Sequence, residues 1–214
     1  MDDDIVQSSM NESVQVAIGS ILGDGCLKQL SKRARASQLY ISQHSSKLPY
    51  LEWLHSKLSE DMAVNPIRKK RGYDQFYFMT RPNKTLGNLR LKFYPQGKKV
   101  IPKDIKNLLV TPLSLAVWYM DDGTLDNRSH YHYNAMFATY SFSSDGCICL
   151  ARALEGNFGI KASVSKCSMR GKVYPRLYVV SACMDNFIRL INPHIHPVFR
   201  YKVANRRASS SGKT

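Results

Sequence analysis

Tyr119-Met120-Asp121-Asp122-Gly123-Thr124-Leu125 decides the fold, because the chain has already written it once as Ile21-Leu22-Gly23-Asp24-Gly25-Cys26-Leu27. Asp24 and Asp122 stand 98 positions apart in 214 residues, close to half the length. That interval implies two copies of one unit of roughly 100 residues. Each copy closes an apolar helical stretch. The first runs from about Asn11, with Asn11 or Ser13 as its N-cap. The second starts at Thr111-Pro112, a capping hydroxyl followed by a first-turn proline. Gly25 is expected to supply a left-handed residue after the first helix, and Gly123 ends the second.

The segments after each motif also correspond. The first half predicts strands at Cys26–Leu30 and Gln38–Gln43, joined by the basic turn Ser31–Ser37. A helix follows from about Ser46 to Met62, with Leu51, Leu54, Leu58 and Met62 at helical spacing. Strands near Ile67–Arg71 and Gln75–Arg81 and a helix near Thr85–Phe93 complete it. The second half predicts a strand, a polar loop at Asn127–Asn134, a strand at Met136–Phe142 and a helix at Ser144–Phe158. Strands at Ile160–Met169 and Pro175–Ser181 and a helix at Met184–Ile191 follow. Each half reads αββαββα. The expected organisation is a tail at 1–10, repeats at 11–107 and 108–207, and a tail at 208–214.

The charge points to a polyanion. Thirty-one Lys and Arg against 16 Asp and Glu give a formal +15, a self-repulsion that a nucleic-acid partner would offset. Both halves share it, at +8 and +7 on either side of Asn107. Basic residues interleave with apolar and aromatic ones, as in Ile67-Arg68-Lys69-Lys70-Arg71-Gly72-Tyr73, which suits a folded positive face. The longest apolar stretch, Leu108–Met120, is broken by Pro112 and is short of the roughly 20 residues of a membrane span, so no membrane partner is expected. Five scattered cysteines and no secretory signal suggest an intracellular, reducing location, whether organelle or prokaryotic cytoplasm.

Asp24 and Asp122 break a local rule. A helix C-terminus carries partial negative charge and disfavours carboxylates. Two such violations at equivalent places fit a divalent cation, which takes carboxylate, helix-end carbonyl, water and phosphate oxygens. If the two helices pack side by side about a pseudo-twofold axis, with Gly19 and Ala116 allowing close approach, both carboxylates emerge together. Strand alternation then sets Cys26, Lys28, Gln38, Tyr40 and Ser42 on one face, and Leu27, Leu39 and Ile41 toward the helices.

Ala17-Ile18-Gly19-Ser20-Ile21-Leu22-Gly23-Asp24-Gly25 and Leu115-Ala116-Val117-Trp118-Tyr119-Met120-Asp121-Asp122-Gly123, the latter preceded by Thr111-Pro112-Leu113-Ser114, resemble the paired motifs of single-chain LAGLIDADG homing endonucleases. The likeness covers about 11–204. It departs from the family pattern at Ala17, Leu22 and Val117, none of them a metal position. It implies an α+β fold in which two pseudo-symmetric αββαββα repeats form a saddle of antiparallel sheets around a two-helix interface.

The resemblance also implies a monomeric, site-specific endonuclease that cuts both strands of a long asymmetric duplex and leaves 3′-hydroxyl and 5′-phosphate ends. The implied cofactor is Mg2+, with Mn2+ able to substitute. The implied metal residues are Asp24, Asp122, Gly23 and Asp121. Asp121 is an extra carboxylate that helix direction aims away from the cleft, and it stays outside the catalytic set. Lys99, 75 positions after Asp24, and Lys202, 80 after Asp122, are the implied basic partners. They join the two Asp as catalytic residues, polarising water or neutralising charge on phosphate. The expected DNA contacts are Lys28, Arg33, Arg35, Gln38, Tyr40, Ser42, Arg68 and Lys70 in the first half, and Thr124, Asp126, Lys166 and Arg170 in the second. Double-stranded DNA is the partner, and no protein partner is required. The alternative is a non-cleaving DNA-binding protein, or an intron maturase with intron RNA as partner, on the same scaffold.

Three other signals are set aside. Ser211-Gly212-Lys213-Thr214 imitates a phosphate loop, but the required earlier glycine falls on Arg207. His130, His132, His194 and His196 have no Cys or carboxylate spacing that completes a zinc site. Cys147 and Cys149 read as core or interface residues, and Trp53 and Trp118 as packing.

Overall fold

The computed structural model describes residues 11–204 apart from Lys32, His130, Tyr131 and Arg170. The two expected tails lie outside these residues.

Helix α1 (Glu12–Leu22) starts at Asn11, whose side-chain oxygen accepts the Ser13 N–H at 2.9 Å. Helix α4 (Pro112–Asp122) starts at Thr111, whose hydroxyl accepts the Ser114 N–H at 3.3 Å. Residues 13–22 of α1 and 113–120 of α4 are buried on every side. A short helix with no wet face must be enclosed all round, and here the two helices are packed against each other. The approach is close. A Cβ added at Gly19 would lie 2.5 Å from the Ser114 carbonyl oxygen and 2.7 Å from the Val117 Cβ. Val117 is therefore tolerated at this interface because its counterpart is a glycine. Gln15 ties the start of α4 across the seam, donating to the Leu108 carbonyl at 3.1 Å and accepting from the Thr111 hydroxyl at 3.0 Å.

The first half continues with β1 (Cys26–Gln29), β2 (Ser37–His44), α2 (Leu48–Ser59), β3 (Arg68–Lys69), β4 (Gln75–Met79) and α3 (Lys84–Phe93). After α4, the second half continues with β5 (Gly123–Ser129), β6 (His132–Phe137), α5 (Ser144–Phe158), β7 (Ala162–Met169), β8 (Lys172–Val179) and α6 (Met184–Ile191). The strands form two antiparallel sheets, β1-β2-β4-β3 and β5-β6-β8-β7, with the same spatial order. The architecture is thus α+β, two pseudo-symmetric αββαββα repeats about a two-helix seam. Leu27, Leu39, Ile41 and Phe78 bury the inner face of the first sheet, and Ala135, Phe137, Leu177 and Val179 that of the second. Trp118 is fully buried and stacks on Phe137 with ring centroids 4.0 Å apart. Its indole N–H has no hydrogen-bond partner among the described residues.

Several expectations are corrected. Gly25 is not left-handed; its N–H donates to the Ser20 carbonyl at 2.7 Å, and a Cβ would lie 2.7 Å from that same oxygen. Close approach, rather than positive φ, requires this glycine. The helix expected at Ser46–Met62 is a 3-10 turn, Ser45–Lys47, followed by the shorter α2. Much of the loop expected at Asn127–Asn134 is strand, and β6 ends at Phe137, well short of Phe142. β8 begins three residues before Pro175. At Pro175 it pairs with β7 alone, an edge-like position where a missing N–H is tolerated.

Candidate functional site

The repeated helices end at the same place. α1 is closed by the Gly23 N–H donating to the Gly19 carbonyl at 3.1 Å, and α4 passes directly through Gly123 into β5. A Cβ on Gly23 would lie 2.4 Å from the Asp121 Cβ, so the two helix ends are in contact. Asp24 is exposed there and Asp122 partly buried. The Asp122 carboxyl is pushed up to about 6, first by burial and next by the negative charge of Asp24. Lys99, Lys202 and Lys47 offset part of that shift. The two carboxylates sense each other across the seam.

Each helix end is capped by a lysine from late in a repeat. Lys99 Nζ donates to the Gly23 carbonyl at 3.0 Å. Lys202 Nζ, almost fully buried, donates to the Met120 carbonyl at 2.7 Å and the Tyr119 carbonyl at 3.3 Å. Cations here satisfy carbonyls that a helix leaves unpaired and offset its negative end. Burial lowers both amines, Lys202 to about 8, with Lys47 adding to the Lys202 shift. Lys98, by contrast, is exposed.

Asp121 does not point away from this junction. Its Oδ2 accepts the Asp24 N–H at 3.3 Å, and its Oδ1 accepts the Tyr50 hydroxyl at 3.0 Å and the Gln43 amide at 3.5 Å. Burial, then the charge of Asp24, holds it well above the ordinary carboxylate range. The same Gln43 amide donates to Asp24 Oδ2 at 2.9 Å. Sequence reasoning did not single out Gln43, Tyr50 or Lys47. Gln43 carried a signal, since alternation places an amide on the face that otherwise holds Leu39 and Ile41.

Most expected DNA contacts share the outer sheet faces. Lys28 lies opposite Gln38, Tyr40 opposite Cys26, and Ser42 and Arg68 both opposite Tyr77. The Lys28 ammonium sits 3.8 Å from the Tyr40 ring centre, a cation–π contact. Lys70 reaches Gln75 at 3.3 Å. Arg33 and Arg35 are exposed on the β1–β2 connection. Thr124 lies opposite Met136 and Asp126 opposite Asn134. Lys166 is the exception. It pairs with Pro175 in phase with Val164 and Leu177, which puts it on the helix side, facing a groove with Arg152 and Glu155 of α5. Arg170 lies outside the described residues. Arg176, not anticipated, occupies the outer face of β8 and donates to the hydroxyls of Tyr178, at 3.2 Å, and Tyr140.

Among the described residues no group of three or more His, Cys, Asp or Glu side chains could hold a metal ion unaided. The donors present are the Asp24 and Asp122 carboxylates and the Gly23 carbonyl. This all-oxygen set suits a hard cation whose shell is completed by water and phosphate. No helix of the described residues is long and apolar enough to cross a membrane.

The junction thus holds two carboxylate-bearing helix ends in contact, each capped by a lysine and each leading into its own four-stranded sheet. Residues 14–187 match the family model of the LAGLIDADG DNA endonuclease family, and the chain belongs to that family. It is 29% identical over 220 residues to the cytochrome b mRNA maturase bI2 of Saccharomyces cerevisiae, covering 96% of this chain and 50% of that protein. It is 28% identical over 216 residues to DNA endonuclease I-ChuI of Chlamydomonas applanata, covering 92% and 97%. The chain therefore spans about half of the yeast relative and nearly all of I-ChuI. Among solved structures, the homing endonuclease I-WcaI bound to its DNA recognition sequence superposes with a TM-score of 0.73 at 24% identity, covering 91% of this chain and 87% of that one. I-DmoI in complex with DNA and Mn superposes with a TM-score of 0.52 at 16% identity, covering 85% and 96%.

The raised Asp122 carboxyl sets an acid limit. A cation held by Asp122 would need it ionised, and ionisation is lost as pH falls through about 6. If Asp122 holds the cation of a cleavage reaction, the rate should fall about tenfold per pH unit below that point. Cation and proton compete for the same oxygens, so raising Mg2+ should move the limit to lower pH. A pH–rate profile at two Mg2+ concentrations tests this, and a limit that ignores metal would contradict it.

Proposed function

We propose that this chain is a homing endonuclease that hydrolyses both strands of a long, asymmetric DNA duplex with a divalent cation. The supporting observation is the junction itself: Asp24 and Asp122 at abutting helix ends, each beside a lysine-capped carbonyl. Asp24, Asp122 and the Gly23 carbonyl would hold the cation, Mg2+ in the first instance and Mn2+ as a substitute. When bound, it supplies Lewis-acid stabilisation of the phosphate charge and acidifies water.

The chain's own residues do the rest. The outer faces carrying Lys28, Gln38, Tyr40, Ser42, Arg68 and Lys70, with Thr124 and Asp126 on the other side, lie along the major groove. Arg33 and Arg35 meet the phosphate backbone. Asp24 and Asp122 are presented to the phosphates between the two sheets. Lys99 and Lys202 place positive charge beside them, and the lowered Lys202 amine can pass a proton near neutral pH. Water oxygen bonds to phosphorus, the bond to the 3′ oxygen breaks, and that oxygen takes a proton. The products are a 3′-hydroxyl and a 5′-phosphate. The Asp121 oxygens stay with their three protein donors, which leaves Asp24 and Asp122 as the metal carboxylates.

The test is to select a bound duplex from a randomised pool in Ca2+, then add Mg2+. Both strands should be cut. Affinity should fall by about 10³-fold or more between 50 and 200 mM salt if six or more phosphates are neutralised. Binding without cutting in Mg2+ or Mn2+ would overturn the nuclease reading. The maturase name of the yeast relative supports a second reading, an RNA-binding intron maturase, which predicts splicing of precursor RNA by a cleavage-dead variant.

A further inference from the structure

The two motif copies differ at the position before the last Asp: Gly23 in the first, Asp121 in the second. The structure sets these two residues against each other. A Cβ on Gly23 would lie 2.4 Å from the Asp121 Cβ and 2.7 Å from its Oδ2. The absent side chain of one half is the space that the carboxylate of the other half fills.

Everything that carboxylate receives comes from the first half: the Asp24 N–H at 3.3 Å, the Tyr50 hydroxyl at 3.0 Å and the Gln43 amide at 3.5 Å. Gln43 in turn holds Asp24 Oδ2 at 2.9 Å. Backbone and side chain of Asp24 are thus both fixed, directly or through Gln43, by a residue of the second half. Among the described residues Asp122 has no matching arrangement. Leu27 pairs with Leu39 as Leu125 pairs with Ala135, so the counterpart of Gln43 is Thr139. The Thr139 hydroxyl donates to the Pro175 carbonyl at 3.0 Å. The counterpart of Asp121 is Gly23, which has no side chain to offer.

We infer that Asp121 is a positioning residue acting across the helix seam, orienting Asp24 and Gln43 of the opposite half so that the two DNA strands are cut by unequal machinery. The inference rests on the proposed function in taking Asp24 and Asp122 as the groups that serve the two strands. It assigns Asp121 no contact with the reacting atoms. Its role is to set the angle at which Asp24 is presented, where small misplacements are costly.

The experiment compares wild type, Asp121→Ala and Asp121→Asn on the selected duplex, labelled separately on each strand, in Mg2+. Asp121→Ala should change the ratio of the two strand-cutting rates by about tenfold or more, with nicked duplex accumulating and DNA affinity unchanged. Asp121→Asn, which keeps one acceptor oxygen, should give a smaller change of the same sign. A role confined to stability would slow both strands alike, and an unchanged ratio in both variants overturns the inference. Hydrogen exchange of the Asp24 amide, measured on the protein without DNA, is a second arm. It should quicken by about tenfold or more in Asp121→Ala, and by a smaller factor of the same sign in Asp121→Asn, which is read if the alanine variant does not fold. An unchanged rate also overturns the inference. If wild type cuts neither strand, the proposed nuclease function fails, while the exchange arm still decides whether Asp121 holds Asp24.

Discussion

Asp24→Asn and Asp122→Asn are each expected to lower double-strand cleavage by about 10³-fold or more, the scale of removing a preorganised charged group from a transition state. Asparagine matches aspartate in volume and keeps one oxygen, so the helix seam and both sheets should persist. What it removes is the charge proposed to hold the cation. The basic outer faces are untouched, so duplex binding in Ca2+ should survive. Linearisation of a plasmid carrying the selected site, read beside a gel-shift titration, separates the two effects. Undiminished cutting by either variant would remove that carboxylate from the mechanism.

Asp122→Asn carries a second, opposite consequence. The Asp122 carboxyl titrates near 6 in the fold, above its ordinary 3.8, so its ionised form is disfavoured by folding. Replacing it should therefore stabilise the metal-free protein at pH 7 by about 1–3 kcal/mol. The sign fixes the pH window. The gain is absent below pH 3.8, grows as the unfolded chain ionises, and levels off above 6. Thermal unfolding at pH 4 and pH 7.5 without metal tests it. A variant that is less stable than wild type at pH 7.5 would show that burial does not oppose this charge.

The second large effect belongs to the core. Trp118→Ala should cost about 3–5 kcal/mol, because a fully buried indole stacked on Phe137 leaves a cavity between α4 and the second sheet. Trp118→Phe should cost much less. The Trp118 N–H has no partner among the described residues, and a buried unpaired donor carries a penalty of about 1–3 kcal/mol that phenylalanine removes along with the lost volume. Denaturant unfolding of both variants checks the order. Because Met120 and Asp122 follow on the same helix, the alanine variant should also lose cleavage at temperatures where it remains folded.

Much of this architecture is legible in the sequence. Asn11, Thr111 and Pro112 announce helix starts because capping chemistry is local, and α5 and α6 follow their apolar spacing closely. Lys99 is paired with Asp24 by the family resemblance, which the similar offset of Lys202 from Asp122 supports. Features that depend on a neighbour were not legible. Gly25 looked like a left-handed cap, and only the nearby Ser20 carbonyl reveals that it is a contact glycine. Lys166 looked like a DNA contact because it is basic, yet its phase with Val164 turns it toward α5. Asp121 looked superfluous because the three donors that use it lie far away in sequence.

The pairing of Gly23 with Asp121 limits how the halves can be recombined. Here a recipient lobe with any side chain at position 23 would collide with the incoming carboxylate, while a donor lobe lacking it would take away the acceptor of the Tyr50 hydroxyl and the Asp24 N–H. Chimeras built from this chain must carry both positions together.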